Sequence, residues 1–141
     1  MRVFALVVLL VLALGVLAAT RGVNLTLTVA EGRLIVQPRG LDVLWTLRRR
    51  IEIPLERVTE VRVAPRTEAP PVMLRLKGVH LPGAIIAGTY RNGEHRTFWD
   101  VRRADRVLLI GCDGDAPYQM LVLEFAEPYT VLARVRGALG D

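Results

Sequence analysis

Serine is absent from all 141 residues, cysteine and lysine occur once each, and histidine occurs twice. Without serine there is no Ser-His-Asp nucleophile. With Cys112 alone there is no internal disulfide and no C-x-x-C metal or redox motif. Cys112 with His80 or His95 is the one nucleophile–base pair the composition leaves. Cys112, however, ends the apolar run "VLLIGC", where a buried structural thiol is expected. His95 alternates with Thr97 and Trp99 like an ordinary strand residue. Asp113 and Asp115 lack the spacing and the distal glutamate of a calcium loop, so they read as turn-formers. "FWD" (residues 98–100) has no repeats around it, as a propeller would require. The expectation is a protein that is not an enzyme, with no cofactor, no metal and no small-molecule substrate.

Charge is lopsided in kind more than in amount. Nineteen Lys and Arg oppose fourteen Asp and Glu for a net charge of +5, and Lys77 is the only lysine. The arginines are scattered among carboxylates, and the longest basic block is Arg48-Arg49-Arg50. No helix or aromatic platform carries the charge, so no nucleic-acid partner is expected.

What the sequence has in abundance is one long apolar run. Val3 to Ala19 contains no charged or polar residue. As a helix it is roughly 26 Å long, just short of the ~30 Å hydrocarbon core of a bilayer. It reads as a transmembrane anchor or as a signal peptide; no clean A-x-A site precedes Arg21, which favours the uncleaved anchor. The division is therefore an anchor over residues 1–21 and one domain over 22–141, in the cell membrane as a single-pass protein. Arg2 and Arg21 nearly balance the flanking charge, and a signal-like N-terminus favours an extracytoplasmic domain.

Beyond the anchor the dominant period is two, the signature of half-buried strands. Leu25, Leu27 and Val29 alternate with Thr26, Thr28 and Ala30; Glu31-Gly32 is a tight turn, and "RLIVQP" returns. In "VLWTLRRRIEI" the same alternation puts Val43, Trp45, Leu47, Ile51 and Ile53 on one face of a strand. Thr46, Arg48, Arg50 and Glu52 fall on the other. "LERVTEVRVAP" starts another strand with Val61 and Val63 inward, and "RTEAPP" is a loop. "AIIAGTYR", "HRTFWDVRR", "DRVLLIGC" and "YQMLVLEF" follow, the last two as central strands covered on both faces, with Asn92-Gly93 and Asp113-Gly114-Asp115 as turns. In "EPYTVLARVRGALGD", Pro128 suits a first helical position, and Val131, Leu132, Val135 and Leu139 form one stripe of an amphipathic helix. The expected fold is mainly β: about eight antiparallel strands and one C-terminal helix.

"GAIIAGTY" (83–90) has the glycine spacing of a phosphate-binding loop, but Thr89 stands where the lysine belongs and strand-period sequence surrounds it. Its glycines are expected to allow a turn after Pro82 and a bulge or close backbone approach at Gly88.

The order of a strand meander closed by a C-terminal helix resembles the pleckstrin-homology architecture. The stretch 75–110 is similar to the bacterial pleckstrin-homology-like family through Gly78, Leu81, Pro82, Gly83, Gly88, Tyr90 and Arg91. "RRIEIPLERVTEVRV" and "FAEPYTVLARV" resemble the family's Ile-Pro segment and closing helix, so the likeness covers roughly 24–139. It implies a two-sheet barrel or sandwich behind a membrane helix, and a non-catalytic domain that binds a protein partner at the membrane through a sheet edge or the helix–sheet groove. The second implied role is contact with anionic lipid. Phosphoinositide binders place basic residues in the first hairpin, where this chain has Glu31-Gly32 and Arg33 alone. A looser lipid contact would use Arg33, Arg48, Arg50, Arg102, Arg103 and Arg106.

Overall fold

The computed structural model describes residues 2–10, 23–81 and 83–140. Residues 2–10 form a helix (α1) whose side chains are exposed throughout. The expected span continues over residues 11–21, which lie outside the described residues, and among the described residues no helix is long and apolar enough to cross a membrane.

The domain starts with β1 (Leu25–Ala30) and β2 (Arg33–Pro38), paired antiparallel so that Ala30 faces Arg33. That register leaves Glu31 and Gly32 as the turn, at φ 53 and 72. Two consecutive positive φ values are what a type I′ hairpin needs. β3 (Ile51–Pro54) adds to β2, completing a three-stranded sheet.

Between β2 and β3 the chain departs from the expected strand. Leu41–Thr46 is a short helix, α2, and the extended segment begins only at Ile51. The face assignment over "VLWTLRRRIEI" is corrected accordingly: Thr46 is fully buried and Leu47 is exposed. Alternation over five residues is also compatible with a helix; here Leu41 and Trp45, one turn apart, both pack toward Ile85, Ala87 and Val79. Thr46 Oγ1 donates to the Asp42 carbonyl at 2.7 Å, which closes the last turn.

The second sheet has six strands in the order β4-β8-β9-β7-β6-β5. These are β4 (Val58–Pro65), β5 (Leu74–Leu81), β6 (Ile85–Asn92), β7 (His95–Val101), β8 (Arg106–Cys112) and β9 (Met120–Leu123). Nine strands among the described residues thus replace the expected eight or so, because Leu74–Leu81 is a strand in its own right. The antiparallel expectation also needs one correction, since β7 and β9 pair in parallel, Thr97 beside Met120 through Asp100 beside Leu123.

The cause is a split hairpin. β9 lies between β7 and β8, so the connection from residue 102 to 105 must cross two strand spacings, about 10 Å. Glu124, one residue past β9, closes this crossing: its Oε1 accepts the backbone N–H of Arg102 at 3.0 Å and of Ala104 at 2.9 Å.

Two cores result. Leu27, Leu34, Val36, Ile51 and Ile53 of the first sheet meet Phe98, Leu108, Ile110, Leu121 and Leu123 of the second. The C-terminal helix α3 (Pro128–Leu139) adds Val131, Leu132 and Val135 to this core, the stripe read from its periodicity. On the opposite face Ile86, Tyr90, Trp99, Val101, Leu109 and Val122 are covered by the segment from β4 to β5, through Ala69 and Val72. Both faces of β8 are therefore buried, as its continuous apolar run requires.

Candidate functional site

Two places on the domain combine exposure with chemistry that packing does not explain. The first is the α2 end. Asp42, in the first turn of α2, has Oδ2 facing the backbone N–H of Asn24 at 3.1 Å and Oδ1 facing Arg102 Nη2 at 3.1 Å. Arg102 Nη1 in turn reaches Asp100 Oδ1 at 3.1 Å. All three side chains are sealed inside, with residue exposures of 3%, 1% and 0%. One guanidinium thus ties the start of the domain, α2 and the six-stranded sheet together.

Burial, and then the Asp42 carboxylate beside it, hold the Asp100 carboxyl well above the usual carboxylate range, and Arg102 only partly opposes this. Among the described residues Asp100 Oδ2 has no hydrogen-bond partner. The carboxylates are closed off from any substrate while α2 is seated.

Outside this lock α2 turns its other face to solvent. Leu44 and Leu47 are 52% and 54% exposed, and with Gly40, Val43 and Arg49 they line an open hollow of about 420 Å³. Leu47 sits at φ 56, a left-handed conformation that costs a bulky L-residue roughly 1–2 kcal/mol. Arg48 follows, half-buried, its guanidinium 5.8 Å above the Tyr118 ring, with Arg96 at the same distance from that ring.

The second place is β5, the outermost strand of its sheet. Among the described residues its pairing partner is β6 alone, and its burial pattern is exposed along most of its length. Met73, Leu74, Leu76 and Leu81 are 41–61% exposed, and Arg75 and Lys77 stand among them. An eight-residue strand with one unpaired edge and exposed leucines is a template for another strand. At its middle, Gly78 faces Gly88 of β6 at φ 110 and 123. A Cβ on Gly78 would stand 2.6 Å from the Gly88 Cα and run into the Ala87 carbonyl. These glycines serve a close strand-to-strand approach.

The six arginines expected to form a lipid contact do not act together. Arg33 and Arg50 converge on Glu52, at 3.0 and 2.7 Å. Arg48 is turned onto Tyr118, and Arg102 is a buried structural cation, which removes it from any surface contact. Arg103 and Arg106 are exposed around the β7–β8 crossing. Of the remaining motif residues, Gly83 makes a turn at φ 77 and Arg91 Nε donates to the Gly93 carbonyl at 2.8 Å. Tyr90 is buried, its hydroxyl donating to the Val79 carbonyl at 2.8 Å, and burial pushes its pKa up to about 12. Pro82 lies outside the described residues. Cys112 is buried and its thiol is pushed up to about 11, chiefly by burial and then by Asp113. Among the described residues no group of His, Cys, Asp and Glu is placed to hold a metal ion.

Sequence reasoning missed the Asp42–Arg102–Asp100 lock, whose members lie 58 to 60 positions apart or two apart across the end of β7, with no motif spacing to announce them. It also missed β5, although Leu74 and Leu76 alternating with Arg75 and Lys77 carried the strand period. Comparison with known proteins returned no match among family models, curated proteins or solved structures.

Proposed function

We propose that this chain is a non-catalytic interaction domain of the pleckstrin-homology-like type, tethered to the cell membrane by its N-terminal apolar run and binding an extended segment of a protein partner along β5. The observation that carries the reading is β5 itself, an outermost strand of eight residues with exposed leucines and one side unpaired. Strand addition takes affinity from main-chain hydrogen bonds and specificity from alternate side chains. Arg75 and Lys77 favour a partner strand carrying carboxylates. Two sheets closed by a C-terminal helix support the fold type, although the parallel β7–β9 pair departs from a plain meander. The tether is supported by the uncharged run from Val3 to Ala19 and by the exposure of Val3, Phe4, Leu6 and Leu9 on α1, which cover no part of the domain.

The test is a photo-crosslinking side chain at Leu76 in the full chain in native membranes, with Tyr129 on α3, 60% exposed, as the control position. A discrete adduct from position 76 and none from 129 is expected. Equal labelling at both positions, or an adduct of twice the 15.7 kDa chain, would overturn the partner-strand reading.

A further inference from the structure

We infer that the α2 end is a bilayer-docking surface, with Leu44 and Leu47 entering an anionic lipid surface and Arg39 and Arg49 meeting its headgroups. The inference rests on the tether proposed above and concerns a different face from β5.

Chain length places this end near the membrane. The Asn24 carbonyl accepts the Arg39 N–H at 2.9 Å, and a Cβ on Gly40 would stand 3.3 Å from the Asn24 side chain. Gly40 lines the hollow, so the hollow adjoins residue 24. The uncharged run ends at Ala19. Five residues reach at most about 18 Å when fully extended, so a membrane-embedded run holds the α2 end within that distance of the bilayer surface.

The surface presented there has the composition an anionic interface selects. Leu44 and Leu47 are exposed without a protein neighbour to cover them, and Leu47 is held at φ 56. Leu47 takes that conformation as the cap of α2, its N–H donating to the Val43 carbonyl at 2.9 Å, and the cap leaves its side chain outward beside Leu44. Arg39 and Arg49 are exposed; among the described residues the Arg39 guanidinium bonds only the neutral Gln37 side chain and Arg49 carries no ion pair, so both charges are available to lipid. Arg48 and Arg50, engaged by Tyr118 and Glu52, are not counted among the lipid contacts. Beneath the hollow, Arg102 clamps α2 to the sheet, so the leucines are presented on a rigid base.

The experiment uses the full chain in vesicles of phosphatidylcholine, with or without phosphatidylglycerol, and a fluorophore on Leu44→Cys or, as control, Tyr129→Cys. Buried Cys112, its thiol near 11, stays unlabelled at neutral pH. Brominated lipids then report contact. We expect several-fold stronger quenching at 44 than at 129 in anionic vesicles, falling to the control level with Arg39→Glu/Arg49→Glu. Resistance to alkaline extraction, measured on the same samples, reports the tether separately. An anchored chain with equal quenching at both positions overturns the docking surface alone. Quenching at 44 independent of lipid charge overturns the assignment to anionic lipid. An extractable chain overturns the tether and this inference with it.

Discussion

Arg102 carries the largest single consequence in the molecule. It was read as a surface cation and is instead a 1% exposed bridge between Asp42 and Asp100. Removing one member of a buried ion pair leaves an uncompensated charge, which costs on the order of 3–5 kcal/mol. Arg102→Met is therefore expected to lower the unfolding free energy by that amount, read as a lower urea midpoint at an unchanged m-value, whereas Asp100→Asn, which keeps a neutral group of the same shape, should cost far less. The pH dependence separates them further. Asp100 has its native carboxyl raised, so from about pH 4 upward the folded chain holds a proton that the unfolded chain has released, and stability declines as pH climbs through that window. Asp100→Asn should flatten that decline in urea midpoints measured across it. A second residue-scale outcome concerns Gly88: at φ 123, with its would-be Cβ 2.6 Å from the Gly78 Cα, Gly88→Ala should destabilise by at least about 2 kcal/mol.

At the scale of elements, α2 and the β7–β8 crossing are held by single side chains. Glu124 accepts two backbone N–H groups of the crossing, and Glu124→Ala leaves both without their acceptor, an expected loss of about 1–3 kcal/mol by chemical denaturation. α2 is strained where it ends. Leu47→Gly removes the left-handed penalty and should raise stability by about 1 kcal/mol, while weakening the lipid contact reported at position 44. A variant that gains stability and loses membrane contact would separate the two demands on this residue. The C-terminal helix needs no such device: Pro128 starts it, Gly140 ends it at φ 85, and Val131, Leu132 and Val135 seat it.

For the whole molecule, all three buried clusters among the described residues are built from Leu25 onward, and no member comes from α1. A chain beginning at residue 23 should therefore stay folded, with the near-UV circular dichroism of buried Trp45 and Trp99 intact. Loss of that signal on truncation would show that the N-terminal segment is part of the fold. The charge of +5 is spread over many faces, much of it already matched by Glu52, Glu60, Glu68 and Asp115, which is why net charge pointed to no single surface.

Local periodicity and turn chemistry by themselves determined the mainly β class, the Glu31-Gly32 hairpin, the doubly covered β8 and the apolar stripe of α3, because each of these depends on neighbours a few residues away. Tertiary contact decided the rest. Val43, Trp45 and Leu47 fit a strand as well as a helix, and the choice fell to a helix because Asp42 meets Arg102 sixty positions later and Trp45 meets Ile85 and Ala87. Strand order was equally non-local: β9 entering between β7 and β8 changes no residue's preferred backbone, only its partner. The same holds for the candidate surfaces, since exposure of Leu44, Leu47 and Leu76 is decided only once the core has taken the apolar side chains it can hold.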